Sequence, residues 1–406
     1  MEHNRYDINQ TRIDLFVTST LNDIKKAVEQ IIFTYEDQLP DKNAKILLKP
    51  NLNNDLNALT GCTTDLRIIV AVIESLQKRG YTKICVGDGP NCGAFHEKID
   101  VHSRLGVTAI GKKYGVDVVD FNFDETVIKK LGKRETKISK TFAEADFVIN
   151  LPKIKTHTEA KYSGAMKNLV GVNAGYEKRN VHWDLQKHIV ELNTIIKPNL
   201  HIMDGLIAME GDGPGAGTPK KLGIILAAEN PFVLDMFTSV LVGFEFGSVP
   251  SLAIAKEKGY ISDEDISSIN KSGIFGQYSI KKPSHRPVVN FLLTNYFVLP
   301  RYWKVFDPIF ATRVMNWFLV NMHIRQDLYA DKEKDVILKK EGEVRDLEEY
   351  CPVGLEIGRE DFEFDNNCIK CMYCYIAGKG RIKAEGELGY MKDQMKRYEK
   401  YFKKEF

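Results

Sequence analysis

Along the first 245 residues, short apolar runs alternate with helix-length amphipathic stretches, the pattern of a parallel sheet flanked by helices. Ala44 to Lys49 reads as a buried strand. Asp65 then caps a helix in which Ile68, Ile69, Ala71, Val72 and Leu76 keep helical spacing until Gly80 stops it. Further strands are predicted at Lys83 to Val86, Val116 to Asp120, Asp146 to Leu151, His201 to Asp204 and Leu222 to Ala227. Helices are expected near Ala143, over Lys187 to Ile196 and over Val233 to Val242, and an N-terminal strand around Asp14 to Thr18 leads into a helix to about Tyr35. The expected fold class is α/β, an open, mostly parallel sheet with flanking helices over residues 1–280.

The pattern then changes twice. Lys281 to Ala330 holds ten aromatic residues, including Trp303 and Trp317, with seven Lys and Arg and two acidic residues. Phe306, Phe310, Met315, Trp317 and Phe318 suit one helical face, so residues 281–345 are expected to form an aromatic and basic helical segment. Such a face packs on the α/β core or on the second subunit of a homodimer, or else meets a membrane surface or an apolar chain. Residues 346–406 combine a Cys-containing stretch with a charged terminal helix, a small ferredoxin-like segment by expectation.

Composition narrows the function. With 57 Lys and Arg against 55 Asp and Glu, the net charge of +2 gives no field to hold a polyanion, which argues against general nucleic-acid binding. No run reaches the ~18 apolar residues of a spanning helix, and the polar residues after Tyr6 do not suit a signal peptide, so a cytoplasmic protein is expected. Four of the seven Cys fall between Cys351 and Cys374, which in a reducing compartment reads as metal ligation.

Residues 368 to 374 read Cys-Ile-Lys-Cys-Met-Tyr-Cys, and Cys351 stands 17 residues before Cys368 (368 − 351), directly ahead of Pro352. Bacterial ferredoxins hold each cubane with such a triplet plus a remote Cys-Pro. Cys351, Cys368, Cys371 and Cys374 are therefore expected to bind one [4Fe–4S] cluster. The second cluster of a ferredoxin is not expected, because Glu341, Val344, Leu347 and Gly378 stand where its ligands would be. The alternative is a four-Cys zinc site, although structural zinc prefers paired knuckles. A cubane held by four thiolates has no open position, which favours single-electron transfer over Lewis-acid chemistry.

Polar turns close several strands, at Lys49-Pro50-Asn51, Gly87-Asp88-Gly89, Leu151-Pro152-Lys153 and Asp204-Gly205, and ligands of open α/β sheets bind beyond such strand ends. If Lys153 to His157 is extended, Lys153, Lys155 and His157 share a face, and Lys161, Lys167 and Asn168 follow. Ser163-Gly164 would open a helix whose free N–H groups add to an anion site. The expected catalytic groups are Lys153, Lys155, His157 and Lys167, with Asn51, Asp88, Thr156, Asn168 and Asp204 in the substrate wall. Four glycines between Gly211 and Gly217 let Gly213 and Gly215 approach a ligand, but the stretch lacks the ending of a P-loop, and neither a nucleotide nor a flavin is indicated. The competing reading of these residues is a solvated basic loop and an ordered connection.

The run from Lys49-Pro50-Asn51 through Gly87-Asp88-Gly89, Leu151-Pro152-Lys153-Ile154-Lys155-Thr156-His157, Met166-Lys167-Asn168-Leu169-Val170-Gly171 and Asp204-Gly205 resembles the domain-of-unknown-function 362 family of iron–sulphur proteins, over about residues 45–245. The resemblance implies an α/β catalytic or binding domain joined to an iron–sulphur segment, and it strengthens the anion-pocket reading. The expected function is an iron–sulphur reductase acting on a small anionic substrate, with an external electron donor such as ferredoxin or flavodoxin. The alternatives are a non-redox lyase or ligase with a structural or Lewis-acid cluster, and a substrate-free electron carrier or redox sensor.

Overall fold

The computed structural model describes residues 1–284, 336–386 and 388–406, so the aromatic segment expected over residues 281–345 lies largely outside the described residues. The strands, in chain order, are β1 (Glu2–Ile8), β2 (Thr11–Val17), β3 (Ile46–Pro50), β4 (Ile84–Asp88), β5 (Asp117–Asp120), β6 (Thr126–Leu131), β7 (Arg134–Ser139), β8 (Phe147–Leu151), β9 (Lys153–His157), β10 (Lys161–Ser163), β11 (Leu200–Asp212), β12 (Ala216–Ala228), β13 (Ile337–Lys340) and β14 (Ile382–Glu385). Ten of them form one sheet in the order β1-β2-β12-β11-β8-β3-β4-β5, with β9 and β10 added beside β11. The block β11-β8-β3-β4-β5 is parallel, and helices cover both faces, so β3 and β8 are buried along their whole length.

The sheet is less parallel than the alternation of runs implies. β12 runs antiparallel to both β11 and β2. The reason is the connection: the Gly-rich turn after Asp212 is too short for a crossover helix, so the two 13-residue strands fold back as a hairpin. β1 and the β6–β7 hairpin carry polar residues at nearly every second position, which hides edge strands from a search for apolar runs.

Local signals place the helices. Asp65 accepts from Arg67 N–H at 2.9 Å and caps Leu66–Lys78, which ends before Gly80 at φ 87°. Asn230 caps Pro231–Leu241, with proline in the first turn where its missing N–H costs nothing. On one face of the sheet, helices Leu21–Thr34 and Leu66–Lys78 share a single apolar core with Ile357, Ile369, Met372, Tyr373, Ile376 and Phe402 of the C-terminal segment. That segment is therefore packed onto the α/β body. Within it, β13 and β14 form an antiparallel pair, the cysteine loop leads into the short helix Tyr373–Ala377, and Gly389–Glu405 is a 17-residue helix.

Candidate functional site

Three of the expected polar turns meet at the carboxyl ends of the parallel strands, whereas Asp204-Gly205, expected to close a strand, lies inside β11, where the pairing with β12 shifts register after Gly205 and the strand runs on. Two buried ion pairs frame the region. Lys49 Nζ donates to Asp88 Oδ1 at 2.5 Å and to the Pro50 carbonyl at 3.0 Å, while Asp88 Oδ2 accepts the Leu52 N–H. Lys153 Nζ donates to Asp204 Oδ2 at 2.8 Å, and the same oxygen accepts the Asp65 N–H at 2.7 Å. Burial pulls the Lys49 ammonium below its usual value and pushes the Asp204 carboxyl up, but in each pair the partner charge opposes the effect. Gly171 lies so close to the first pair that a Cβ there would stand 2.2 Å from Asp88 Oδ1, so only glycine fits.

Lys155 is buried with neutral partners. Its Nζ donates to Asn51 Oδ1 at 2.9 Å and to the Cys62 carbonyl at 2.8 Å, which uses two of its three N–H donors. From Asn51 a chain of amides runs inward: Asn51 donates to Asn168 Oδ1 at 2.8 Å, Asn168 to Asn150 Oδ1 at 2.7 Å, and Asn150 to His201 Nδ1 at 3.0 Å. Burial drives His201 down to about 3, so the ring is neutral and its Nδ1 lone pair can end the chain. Every link points one way, away from the ammonium, which fixes the orientation of each amide. Asn150 and His201 were not among the residues singled out in the sequence, because neither sits at a strand end; an Asn in the middle of the apolar run Phe147 to Leu151 was the available signal.

His157 and Lys167 lie beside Lys155. The N–H groups of Glu159 and Ala160 both donate to His157 Nδ1, at 3.1 and 3.2 Å, which places the ring proton on Nε2. Burial, with Lys167, His182 and Lys155 nearby, holds this imidazole well below its usual value, so it is a neutral donor. Lys167 makes no hydrogen bond or ion pair among the described residues, and burial with the Lys155 charge lowers it to about 8. Lys155 and Lys167 are thus cations without a carboxylate partner, and their common neighbourhood suits an anion.

Other sequence expectations are placed differently. Gly164 does open a helix, Ala165–Asn168, but the N–H groups of Ala165 and Met166 are taken by Asp235, at 2.6 and 2.9 Å, and are not free for an anion. Thr156 is buried, with its hydroxyl on the Met209 carbonyl at 3.3 Å, and a Cβ on Gly213 would meet the Thr156 carbonyl at 2.3 Å. Gly213 and Gly215 therefore belong to the β11–β12 turn that covers Thr156 and Cys62, whose thiol donates to the Pro214 carbonyl at 3.4 Å. Lys178 is a further buried cation that the sequence reading passed over, held by Asn122 Oδ1 and the Asn173 carbonyl, each at 2.5 Å.

The four C-terminal cysteines gather on the other side of the loop between β3 and Leu66. Burial raises all four thiols, and neighbouring cysteines add to the rise in three of them: Cys368 is pushed up further by Cys351, Cys371 by Cys351, Cys374 and Cys368, and Cys374 reaches about 12 through burial, Cys368 and Cys351. Backbone N–H groups face the sulphurs, from Leu355 to Cys351 at 3.3 Å and from Lys370 to Cys368 at 3.4 Å. Lys370 and Met372 adopt positive φ, 51° and 65°, which curls the loop between the cysteines of the triplet. Among the described residues no three His, Cys, Asp or Glu meet as ligands of a single ion. Four thiolates around a cubane are distributed over several irons and need no common meeting point, so this donor set, with its N–H groups on sulphur, fits an iron–sulphur cluster.

The loop joins the two sites. Asn57 Nδ2 donates to the Cys371 carbonyl at 2.8 Å, the Leu66 N–H donates to the Tyr373 hydroxyl at 3.0 Å, and between them in the same loop lies Cys62, whose carbonyl holds Lys155. Residues 46–239 match the family described as Domain of unknown function (DUF362). The DUF362 match contains every residue of the basic site described above and stops short of the cysteines. The thylakoid-associated protein sll1697 of Synechocystis sp. is 29% identical over 222 residues, 53% of this chain and 68% of that protein. Two solved structures align weakly: the lactate racemase apoprotein from Thermoanaerobacterium thermosaccharolyticum (11% identity, TM-score 0.33, 56% of this chain and 58% of that one) and a Thermotoga maritima protein (14%, 0.31, 50% and 54%). The chain spans little more than half the length of either structure. No helix among the described residues is long and apolar enough to cross a membrane.

Proposed function

We propose that this protein is an iron–sulphur reductase, in which Cys351, Cys368, Cys371 and Cys374 hold one [4Fe–4S] cluster and a small anionic substrate binds at Lys155, Lys167 and His157. The observation that carries the reading is the shared loop, with Asn57 on the Cys371 carbonyl at 2.8 Å and Lys155 on the Cys62 carbonyl at 2.8 Å. The cluster, when bound, supplies electrons singly from an external donor of the ferredoxin or flavodoxin class. The residues of the basic site do the rest. Lys155 and Lys167 offset the negative charge of the substrate, and neutral His157 offers its Nε2 proton to a substrate oxygen. The Lys49–Asp88 and Lys153–Asp204 pairs keep the strand ends in place, so these lysines act as framework and not as proton donors.

The test is anaerobic purification with iron analysis and EPR after dithionite. About four irons per chain are expected, with Cys351→Ala, Cys368→Ala, Cys371→Ala and Cys374→Ala each losing the signal. If Cys351→Ala keeps both iron and spectrum, the cluster is site-differentiated and the non-redox alternative takes over. A second feature adds a surface role to this reading: the relative is described as thylakoid-associated, and Lys281 to Ala330 mixes ten aromatics with seven basic residues. We propose membrane-surface contact on those two grounds, and co-sedimentation with anionic liposomes at low salt tests it.

A further inference from the structure

We infer that Asp235 is a positioning residue of the anion site: from the helix Pro231–Leu241 its carboxylate holds the turn Ala165–Asn168 and so presents Lys167 and Asn168. The inference rests on the reading that Lys167 meets an anion. Because Lys167 makes no hydrogen bond or ion pair among the described residues, packing and the backbone of this turn set where its ammonium stands. Asn168, in the same turn, carries the amide chain on to Asn150 at 2.7 Å.

The turn cannot cap itself. Its leading residue is Gly164, which has no side chain to offer, and the Ala165 and Met166 N–H groups donate instead to Asp235 Oδ1 at 2.6 Å and Oδ2 at 2.9 Å. The glycine belongs to the arrangement, since a Cβ there would stand 2.2 Å from Asp235 Oδ1. Each N–H takes one oxygen, and only an ionised carboxylate offers two oxygens that both accept without a proton or an amide N–H in the way. Asp65 and Asn230 cap the helices that they directly precede, whereas this cap comes from another helix and ties the turn to the body of the domain. Asp235 is 2% exposed, and its charge rests on these two N–H groups.

That charge depends on pH. Burial pushes the Asp235 carboxyl up to about 7, against the lowering by the Met166 and Ala165 N–H groups. The titratable group it faces is Tyr162, which burial and the Asp235 charge hold well above its usual value, so the phenol stays neutral. Among the described residues, the turn, β12 and the helix Pro250–Glu257, which pack on the Asp235 helix, bring no further charge to bear on it. The grip is complete above about pH 7 and loosens as the pH falls through that value, while Lys167 keeps its charge below about 8. Anion binding is therefore strongest between the two.

The experiment makes two measurements on the full-length, anaerobically purified protein at about pH 6 and about pH 7.5: deuterium exchange of the amides of residues 164–168, corrected for the intrinsic pH dependence, and calorimetric titration with acetate. In the wild type the turn should lose protection at about pH 6, and acetate should bind more weakly there than at about pH 7.5. Asp235→Asn keeps the shape but only one acceptor, so it should exchange fast at both pH values, bind acetate about tenfold more weakly at the higher one and lose the acid-side fall. Equal protection of the turn at both pH values in the wild type, or full protection in Asp235→Asn, overturns the hold of Asp235 on the turn. Faster exchange with unchanged acetate affinity in Asp235→Asn, while Lys167→Met loses acetate, overturns the positioning role and leaves the anion site standing. No acetate binding by the wild type, or unchanged affinity in Lys167→Met, overturns the anion reading and the positioning role with it.

Discussion

The basic site and the cysteine loop both bury ionisable groups, and they handle the cost in opposite ways. At the strand ends opposite charges are matched inside the protein: Lys49 lies 2.5 Å from Asp88 and Lys153 2.8 Å from Asp204. Removing either charge would leave its partner stranded in the core. In the cysteine loop four groups of one kind are collected, and as thiolates each would repel the others; the backbone N–H groups that face them offset only part of that. As neutral thiols, which burial favours, the four need no counter-charge, and only as thiolates would they call for a cationic centre; the paired lysines call for nothing more. Lys155 and Lys167 stand between the two cases: neither has a carboxylate at ion-pair distance among the described residues, and Asp88 acts on Lys155 and Glu159 on Lys167 only from further away.

The largest effect expected from breaking this contrast is on stability. Lys153→Met should cost about 3–5 kcal/mol in urea unfolding, because Asp204 loses its counterion in a fully buried position. Lys155→Met removes a cation whose partners are neutral oxygens, so it should cost clearly less while abolishing the binding of a small anion, with acetate as the probe. Equal losses in the two variants would show that the distinction between paired and unpaired lysines does not hold.

The next effect concerns pH. Lys167 is lowered to about 8 by burial and by the Lys155 charge. A lowered lysine is charged below its folded value and neutral above it, so its help in binding an anion is fully present below about pH 8 and fades as the pH rises through it. Acetate affinity should therefore fall on the alkaline side. In Lys167→Arg the charge persists to high pH, and the part of the fall due to this residue should disappear. Lys178, also lowered to about 8, faces Asp88, Asp120, Cys92 and Lys49 and serves as the control: Lys178→Arg should leave the profile where it is.

How much of this was legible beforehand depends on the range of the signal. Helix caps such as Asp65 and strand runs such as Ile46–Pro50 are written in neighbouring residues, and the α/β class follows from them. Asn51 and Asp88 are legible because each lies at or just after a strand end, and Lys153 and Lys155 because alternate residues of an extended stretch share a face, with Lys167 and Asn168 following soon after. Their division into paired and unpaired lysines was not legible, since it depends on contacts such as Lys49 with Asp88, 39 residues apart, and Lys153 with Asp204, 51 apart. The antiparallel β12 was missed for a different reason: apolar content marks a strand but carries no direction.

The smallest expected effect sharpens the same comparison from the surface. In the cysteine segment the geometrically best ion pair is Arg381 with Asp346, a fork of two hydrogen bonds at 2.7 and 2.8 Å, but Asp346 is 62% exposed. Geometry alone would rank it level with Lys153–Asp204. Water and salt decide otherwise: an exposed pair trades one set of good contacts for another, so its net worth is about 0–1 kcal/mol. Asp346→Asn leaves Arg381 with the Gly378 and Glu343 carbonyls, at 3.1 and 3.0 Å, which reduces the loss further. The urea midpoint of Asp346→Asn should be nearly that of the wild type and should become indistinguishable from it in high salt. A loss approaching that of Lys153→Met would mean that burial is not what separates the two regions.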